Sequence, residues 1–336
     1  MKPARTLPSD WYVEPGTLDL ELEHVFDRAW QYAGAAELVA EPGTFLTTRA
    51  GRVPIVVTRD DDGELNAFVN VCRHRGAVVA RDRNGRRRSL QCHYHAWTYG
   101  LDGRLRAAPG TKELELDDVA LPRAAVGMWG PFVFVNPDPD AEPLEDALGE
   151  LPAIVSEANV PLERIRPRRT ASYTIEANWK LVVDNYLECY HCPVAHPGFS
   201  KAFDVDDYTL TTYPTFSLQR TPGREEGEGL YVYLWPNFTL NAYPGPGNVS
   251  LNLFVPLATD RTLALYEYFL ADEVSDEKAD EFVAFVDQVQ REDTELCESV
   301  QRGLGSGRLD RGLLVPGRED GLRHFQNLVR EALQRG

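Results

Sequence analysis

No stretch of this 336-residue sequence approaches the run of about 20 apolar residues that a membrane span needs. Its first residues, MKPARTLPSDWYVEPG, hold no apolar core of the kind a secretory leader carries. Positive charge is scarce: 35 Lys and Arg stand against 52 Asp and Glu, a net of −17. That balance argues against a nucleic-acid binder and against docking on an anionic membrane. Cysteine is scarce too. Five of them, an odd number in a long chain, do not make a disulfide framework, so a reducing, cytoplasmic setting is the expectation. There is no internal repeat and no low-complexity tract. What remains, 43% hydrophobic and 26% charged residues, is enough apolar mass for more than one core, and the length suits about two domains.

Between residues 42 and 137 turn signals cut the chain into short strand-like runs. Pro54–Arg59 and Leu65–Cys72 flank Asp62-Gly63, a good hairpin dipeptide, and Asp102-Gly103 divides Ala96–Gly100 from Arg104–Ala107. Gly130–Pro137 closes the region as a buried strand. With almost no 3.6-residue periodicity, this reads as a small antiparallel β domain. After the Pro- and acid-rich connector PDPDAEPLED the texture changes. Helices are expected over Trp179–Cys192, Asp276–Gly303 and Glu319–Arg335, and strands over Ala171–Glu176, Tyr208–Arg220, Leu230–Leu234, Val249–Leu257 and Thr262–Leu270. The fold class is α+β: residues 138–336 form a larger domain with an antiparallel sheet and helices against it, and residues 1–41, with a helix expected over Asp19–Trp30, pack on that domain.

Two constellations carry chemistry. Cys72-Arg73-His74 ends one strand; after seventeen intervening residues Cys92-His93-Tyr94-His95 follows another. Each pair offers one thiolate and one imidazole to a common centre. A zinc finger usually pairs Cys with Cys and His with His, so the mixed pairing points instead to a Rieske [2Fe–2S] cluster, two Cys on one iron and two His on the other, with a structural zinc site as the bland alternative. His93 is expected beside the cluster, not on it. The arginine-rich stretch Arg81–Arg88 lies between the pairs. It reads either as a solvated turn at Asn84-Gly85 or as a positive rim that steers an acidic electron donor.

The second constellation is Asn178-Trp179-Lys180 … Asp184-Asn185 … Glu188-Cys189-Tyr190-His191-Cys192-Pro193 … His196. On one helix Asp184, Glu188 and His191 would fall within about 60° of each other. Pro193 breaks that helix, so His196 can turn back towards His191. In the helix starting at Asp276, Phe282, Phe285, Val286, Val289, Leu296 and Val300 form an apolar stripe with Asp293 near its centre and Glu292 on its flank. A carboxylate facing a core invites a cation or a buried ion pair, and two His with one carboxylate is the facial triad of non-haem Fe(II) oxygenases. Cys189, Cys192 and Cys297 read as small core residues, and His24 and His324 as structural.

Taken together, these motifs resemble the α subunit of Rieske-type non-haem iron oxygenases over nearly the whole chain. The resemblance implies cluster ligands Cys72, His74, Cys92 and His95, and iron ligands His191, His196 and Asp293. It implies that Glu188, with Asp184 and Asn185 beside it in the motif, links the iron to the cluster of a neighbouring subunit in a head-to-tail homotrimer. It also implies O2 as co-substrate and NAD(P)H electrons delivered by a flavin and iron–sulfur reductase or a ferredoxin. The stretches Glu188–Pro197 and Leu296–Leu304 are similar to the branch acting on choline, glycine betaine and carnitine. Trp235, Phe238 and Tyr243 are the rings expected to hold a trimethylammonium group, although ordinary sheet core explains each ring equally well. Hydroxylation of an aromatic ring and a non-catalytic electron carrier are the competing readings.

Overall fold

A computed structural model describes residues 4–334 apart from Pro246. The chain divides into two compact units, Phe26–Ala147 and a discontinuous unit of the residues up to Val25 with those from Leu148 onward.

The sheets of the smaller unit are antiparallel throughout. Seven strands lie in the order Gln31–Ala35, Phe132–Asn136, Arg123–Trp129, Leu65–Val69, Val53–Arg59, Thr44–Ala50, Asn84–Arg86. A three-stranded sheet, Leu90–Gln91, Thr98–Tyr99 and Leu105–Ala107, sits beside them. The two Asp-Gly dipeptides turn as the sequence implies, with Gly63 at φ 84° and Gly103 at φ 81°. The unit is wider than residues 42–137 for two physical reasons. Gln31–Ala35 hydrogen-bonds the buried strand Phe132–Asn136, and the helix Leu144–Leu148 returns so closely that a Cβ on Gly127 would stand 2.9 Å from Leu144. The N-terminal helix spans Pro15–His24, not Asp19–Trp30, because proline fits the first helical turn and a 3₁₀ turn at Phe26–Arg28 follows.

The larger unit is built on a second seven-stranded antiparallel sheet. Its order is Ile165–Ile175, Arg261–Ala271, Asn248–Ala258, Phe238–Tyr243, Glu228–Leu234, Phe216–Pro222, Thr209–Thr212. The run expected as one strand over Tyr208–Arg220 is a hairpin bent near Tyr213, and Phe238–Tyr243 is a strand the sequence reading left out. Register places Gln219, Tyr231, Asn241 and Ser250 side by side, with Asn252 beside Tyr266, on one face of this sheet. The alternating residues Leu218, Val232, Leu240 and Leu251 make the other face aliphatic. The helices Trp179–Tyr186 and Asp276–Gly305 pack on each other, and Tyr186 and Gln290 on them hydrogen-bond Asn241 and Tyr266 of the polar sheet face.

The Asn-Trp-Lys motif is the anchor of the first of these helices. The Asn178 side chain caps it by accepting from Lys180 N at 3.0 Å, and Lys180 Nζ reaches Asn178 Oδ1 at 2.8 Å and Glu21 Oε1 at 2.6 Å. Trp179 Nε1 donates to the other Glu21 oxygen at 2.7 Å, so a fully buried charge pair ties the helix to the N-terminal segment. Removing one partner of such a pair costs roughly 3–5 kcal/mol because the other charge is left buried.

Candidate metal centres

In the smaller unit two loops repeat one backbone design. Cys72 N donates to Ala77 O and Gly76 N to Cys72 O; Cys92 N donates to Trp97 O and Ala96 N to Cys92 O, with matching distances of 2.8 and 3.0 Å in each loop. Both loops need a left-handed residue at the same place, Gly76 at φ 76° and Ala96 at φ 57°. Cys72 and Cys92 are buried, whereas His74 and His95 are exposed, their rings 4.5 Å apart. Trp97 stacks flat on His74 at 5.0 Å. The Tyr99 hydroxyl lies 3.4 Å from Cys72 Sγ and accepts from Arg73 N; burial and the contact with Cys72 push its pKa up, so it stays a donor to a thiolate. His93 is exposed and lines a separate hollow.

The helix carrying the second motif ends at Tyr186, not at Cys192. Asp184, Glu188 and His191 therefore do not share a helical face, and a different device joins the last two. The Glu188 carboxylate folds onto the following turn, accepting from Tyr190 N, from His191 N at 3.2 Å and bonding His191 Nδ1. Pro193 starts a four-residue helix, Cys192–Ala195, after which His196 sits at φ −120° before a second short helix. Glu292 holds His196 Nδ1 at 2.8 Å. Both Nδ1 atoms are thus occupied by carboxylates, which leaves both Nε2 lone pairs facing inward, 3.0 Å apart.

Asp293 completes the group: its Oδ1, buried and without a hydrogen bond, stands 3.0 Å from His196 Nε2 and 3.5 Å from His191 Nε2. Three acceptors pointed at one spot repel unless a cation lies between them, so the residues fit a metal ion. Among the described residues this is the group of three or more possible ligands whose atoms fall within 4.8 Å of one another. A proton can take the role of that cation: burial opposes a charged His191 ring, but Asp293 and Glu188 outweigh it and push the pKa up to about 10.

Three expectations need correction. Trp235 packs on Phe325 at 6.1 Å where the strand turns, and Phe238 lies on the aliphatic face of the sheet; neither lines the metal-side cavity. Asp184 points away from the metal group, bonded to Tyr12 OH at 2.8 Å and Gln326 Nε2 at 2.9 Å. Cys189 and Cys192 are joined in a disulfide, not separate core thiols, because the turn around His191 brings their Cα atoms to 4.9 Å. Cys297 is the free, buried thiol expected.

The cavity beside the metal group measures about 100 Å³ and is walled by Tyr186, Phe199, Tyr208, Tyr231, Tyr243 and Tyr266. Of the three rings the sequence suggested, only Tyr243 is there. Tyr231 and Tyr266 join it from the polar sheet face, a signal present as alternation at Gln219–Thr221, Tyr231–Tyr233 and Asn241–Tyr243, whereas Tyr186 and Phe199 come from helices and Tyr208 from the residue before Thr209–Thr212. Burial pushes the hydroxyls of Tyr186, Tyr231 and Tyr266 well up, and Tyr208 donates to Gln219 at 2.8 Å, so the aromatic part of the wall is neutral. Asn185 and Glu188 line this cavity and also a second, mostly apolar one of about 380 Å³ bordered by Leu181, Leu296, Leu309 and Leu322.

A β unit with two Cys/His loops and an α+β unit with a His/His/Asp group define an oxygenase that carries both a cluster and a mononuclear iron. The chain belongs to the Rieske-type ring-hydroxylating oxygenases: the Rieske [2Fe-2S] domain matches residues 29–121, and the catalytic domain of the ring-hydroxylating alpha subunit matches 162–223 and 209–335. Over 98% of its length it is 36% identical to the chloroplastic choline monooxygenase of Arabidopsis thaliana, of which it covers 83%. It is 33% identical to the carnitine monooxygenase oxygenase subunit of Escherichia coli K12, covering 98% of this chain and 94% of that one. The quaternary ammonium Rieske monooxygenase CntA in complex with L-carnitine aligns at 31% identity with a TM-score of 0.90, over 99% of this chain and 97% of that one. Naphthalene 1,2-dioxygenase from Rhodococcus, at 21% identity and a TM-score of 0.81, shares the fold. The Rieske match overturns the zinc alternative, and the catalytic domain removes the bare electron carrier. No helix among the described residues is long and apolar enough to cross a membrane.

Proposed function

We propose that this terminal oxygenase acts on a small quaternary ammonium compound whose remaining polar group is uncharged, a choline-like alcohol. The observation that carries this is the wall of the metal-side cavity: aromatic rings and amides, with no lysine or arginine among the described lining residues. Aromatic faces hold a cation that cannot donate hydrogen bonds. A substrate carboxylate would be buried there without a partner, at a cost of several kcal/mol.

His191, His196 and Asp293 would hold Fe(II), and Cys72, His74, Cys92 and His95 the [2Fe–2S] cluster. When bound, the iron supplies activation of O2 for insertion into a C–H bond beside the nitrogen, the second oxygen atom leaving as water with two electrons and two protons. Glu188 and Glu292 orient the two imidazoles and raise their basicity through Nδ1. Tyr186, Tyr231, Tyr243 and Tyr266 hold the cationic head and exclude water. Tyr99 stabilises the cluster thiolate at Cys72.

NAD(P)H electrons arrive through a flavin and iron–sulfur reductase or a ferredoxin in the cytoplasm. Glu188 passes them from a neighbour's cluster in a homotrimer. The larger unit supports such a contact: around Glu188 lie the second cavity and the exposed side chains Tyr190, Val194, Leu309 and Leu313, an apolar surface that a monomer gains nothing by leaving open.

The test is oxygen and NADH consumption with a partner reductase against choline, glycine betaine, L-carnitine and benzoate. Choline should give coupled turnover with aldehyde release. Coupled turnover with benzoate and none with any quaternary amine would overturn the reading.

A further inference from the structure

The charge of the smaller unit is concentrated in one place. Between Arg73 and Arg106 the sequence holds nine arginines against two aspartates, within a chain of net charge −17. All nine side chains are exposed. Asp82 and Asp102 pair with Arg87 and Arg106, so the excess of the segment stays positive. Edge-strand protection explains a charge or two on Asn84–Arg86, which is the last strand of its sheet. It does not explain arginines on both sides of that strand.

A hollow of about 570 Å³ lies among them, lined by Arg81, Arg87, Ser89, Gln91, His93 and the apolar Phe45 and Leu90, with Asp82 on its wall paired to Arg87. Its two sides are the chain segment that leaves the first cysteine loop and the one that enters the second. Val79–Arg81 follows the Cys72–Ala77 loop, and Leu90–His93 runs through Cys92 itself. A partner seated there would touch chain segments continuous with both cysteine loops.

We propose that this hollow and the belt of exposed arginines around it are the docking surface for an acidic iron–sulfur electron donor, a proposal that rests on the reading that reduction comes from a protein partner. The sign of the charge suits that partner and repels a cationic substrate. Complementary fields of this kind raise encounter rates about 10- to 1,000-fold at low ionic strength. In the step served, one electron leaves the reduced donor and enters the cluster; no bond forms or breaks.

The experiment is stopped-flow reduction of the fully loaded enzyme by a reduced plant-type [2Fe–2S] ferredoxin, with photoreduced deazaflavin as the small reductant. The triple variant Arg86→Glu/Arg87→Glu/Arg88→Glu should lose about 10-fold or more in the bimolecular rate constant at low salt and show a flatter salt dependence. Arg81→Gln, a milder change that keeps the fold if the triple variant does not, should lose about threefold. Deazaflavin rates, visible absorption and elution volume should be unchanged. An unchanged ferredoxin rate at low salt overturns the proposal. So does an altered elution volume, which would make the belt a contact between copies of this chain, or an equal loss with both reductants, which would mean a disturbed cluster. If ferredoxin and reductase both fail to reduce the wild type while deazaflavin succeeds, the protein-partner reading falls, and this proposal with it.

Discussion

The two centres are assembled in opposite ways. The Cys/His site comes from two loops of the same design only 20 residues apart, each closed by its own backbone hydrogen bonds and each keeping its cysteine inside and its histidine out. The His/His/Asp site comes from a turn and a distant helix, with His196 and its partner Glu292 separated by 96 residues. The first is local and nearly independent of the rest of the fold. The second exists only once the helix Asp276–Gly305 has packed on the helix Trp179–Tyr186, and its ligands are held through carboxylates that are not ligands themselves. Electron acceptance therefore rests on short-range chain geometry, and oxygen chemistry on tertiary packing.

That difference predicts separable failures. The largest is His191→Ala, which should abolish turnover and lower the iron content from about three to about two per chain, leaving the visible absorption of the cluster intact. Loss of the cluster along with the activity would mean that the two centres are not independent.

Next in size is the buried carboxylate behind the turn. Asp184 is pushed up to about 7 from 3.8, chiefly by burial, with Tyr12, Gln326 and Lys180 pulling the other way. The folded chain then binds a proton that the unfolded chain releases between those values, so this contribution to stability is full at low pH and is lost as pH rises from about 4 to about 7. Replacing it, Asp184→Asn, removes the titration. The stability difference between variant and wild type should move in the variant's favour by up to about 4 kcal/mol across that window, read by chemical denaturation. A parallel pair of stability–pH curves would show that Asp184 is not held this way. Glu188→Gln comes third. It keeps the side-chain length but weakens the bond to His191 Nδ1, and should lower turnover about 10- to 100-fold with the cluster still reducible by the donor.

The legibility of the two centres follows the same division. The two loops that carry Cys72, His74, Cys92 and His95 were legible from spacing and hairpin signals, because each is local. For the second centre, His191, His196 and Asp293 were legible from Pro193 and from a carboxylate in an apolar stripe, yet the argument through one helix ran past its true end at Tyr186. Nothing in residue preferences marks that end; the Glu188 side chain capping the next turn does, and it depends on three-dimensional closure. The cavity was the least legible part. Trp235 and Phe238 drew attention as large rings, but strand register decides which rings face the metal, and register is set by the neighbouring strands Phe216–Pro222 and Asn248–Ala258.

The smallest effect tests the likeness of the two loops themselves. If they are one design used twice, the residues at their left-handed positions should be exchangeable at the cost of backbone strain alone. A Cβ at Gly76 would meet nothing within 4 Å, so Gly76→Ala reproduces the situation of Ala96 without a clash. Its φ of 76° imposes roughly 1–2 kcal/mol on an L-residue, offset by about 0.5–1 kcal/mol from the lower entropy of the unfolded chain. The net loss should be about 1 kcal/mol or less, read by thermal unfolding, with the cluster's spectrum retained. In the reverse direction Ala96→Gly should be close to neutral. A variant at Gly76 that cannot hold its cluster would mean that the first loop needs glycine for something other than its backbone angle, and the equivalence of the loops would fail at that residue.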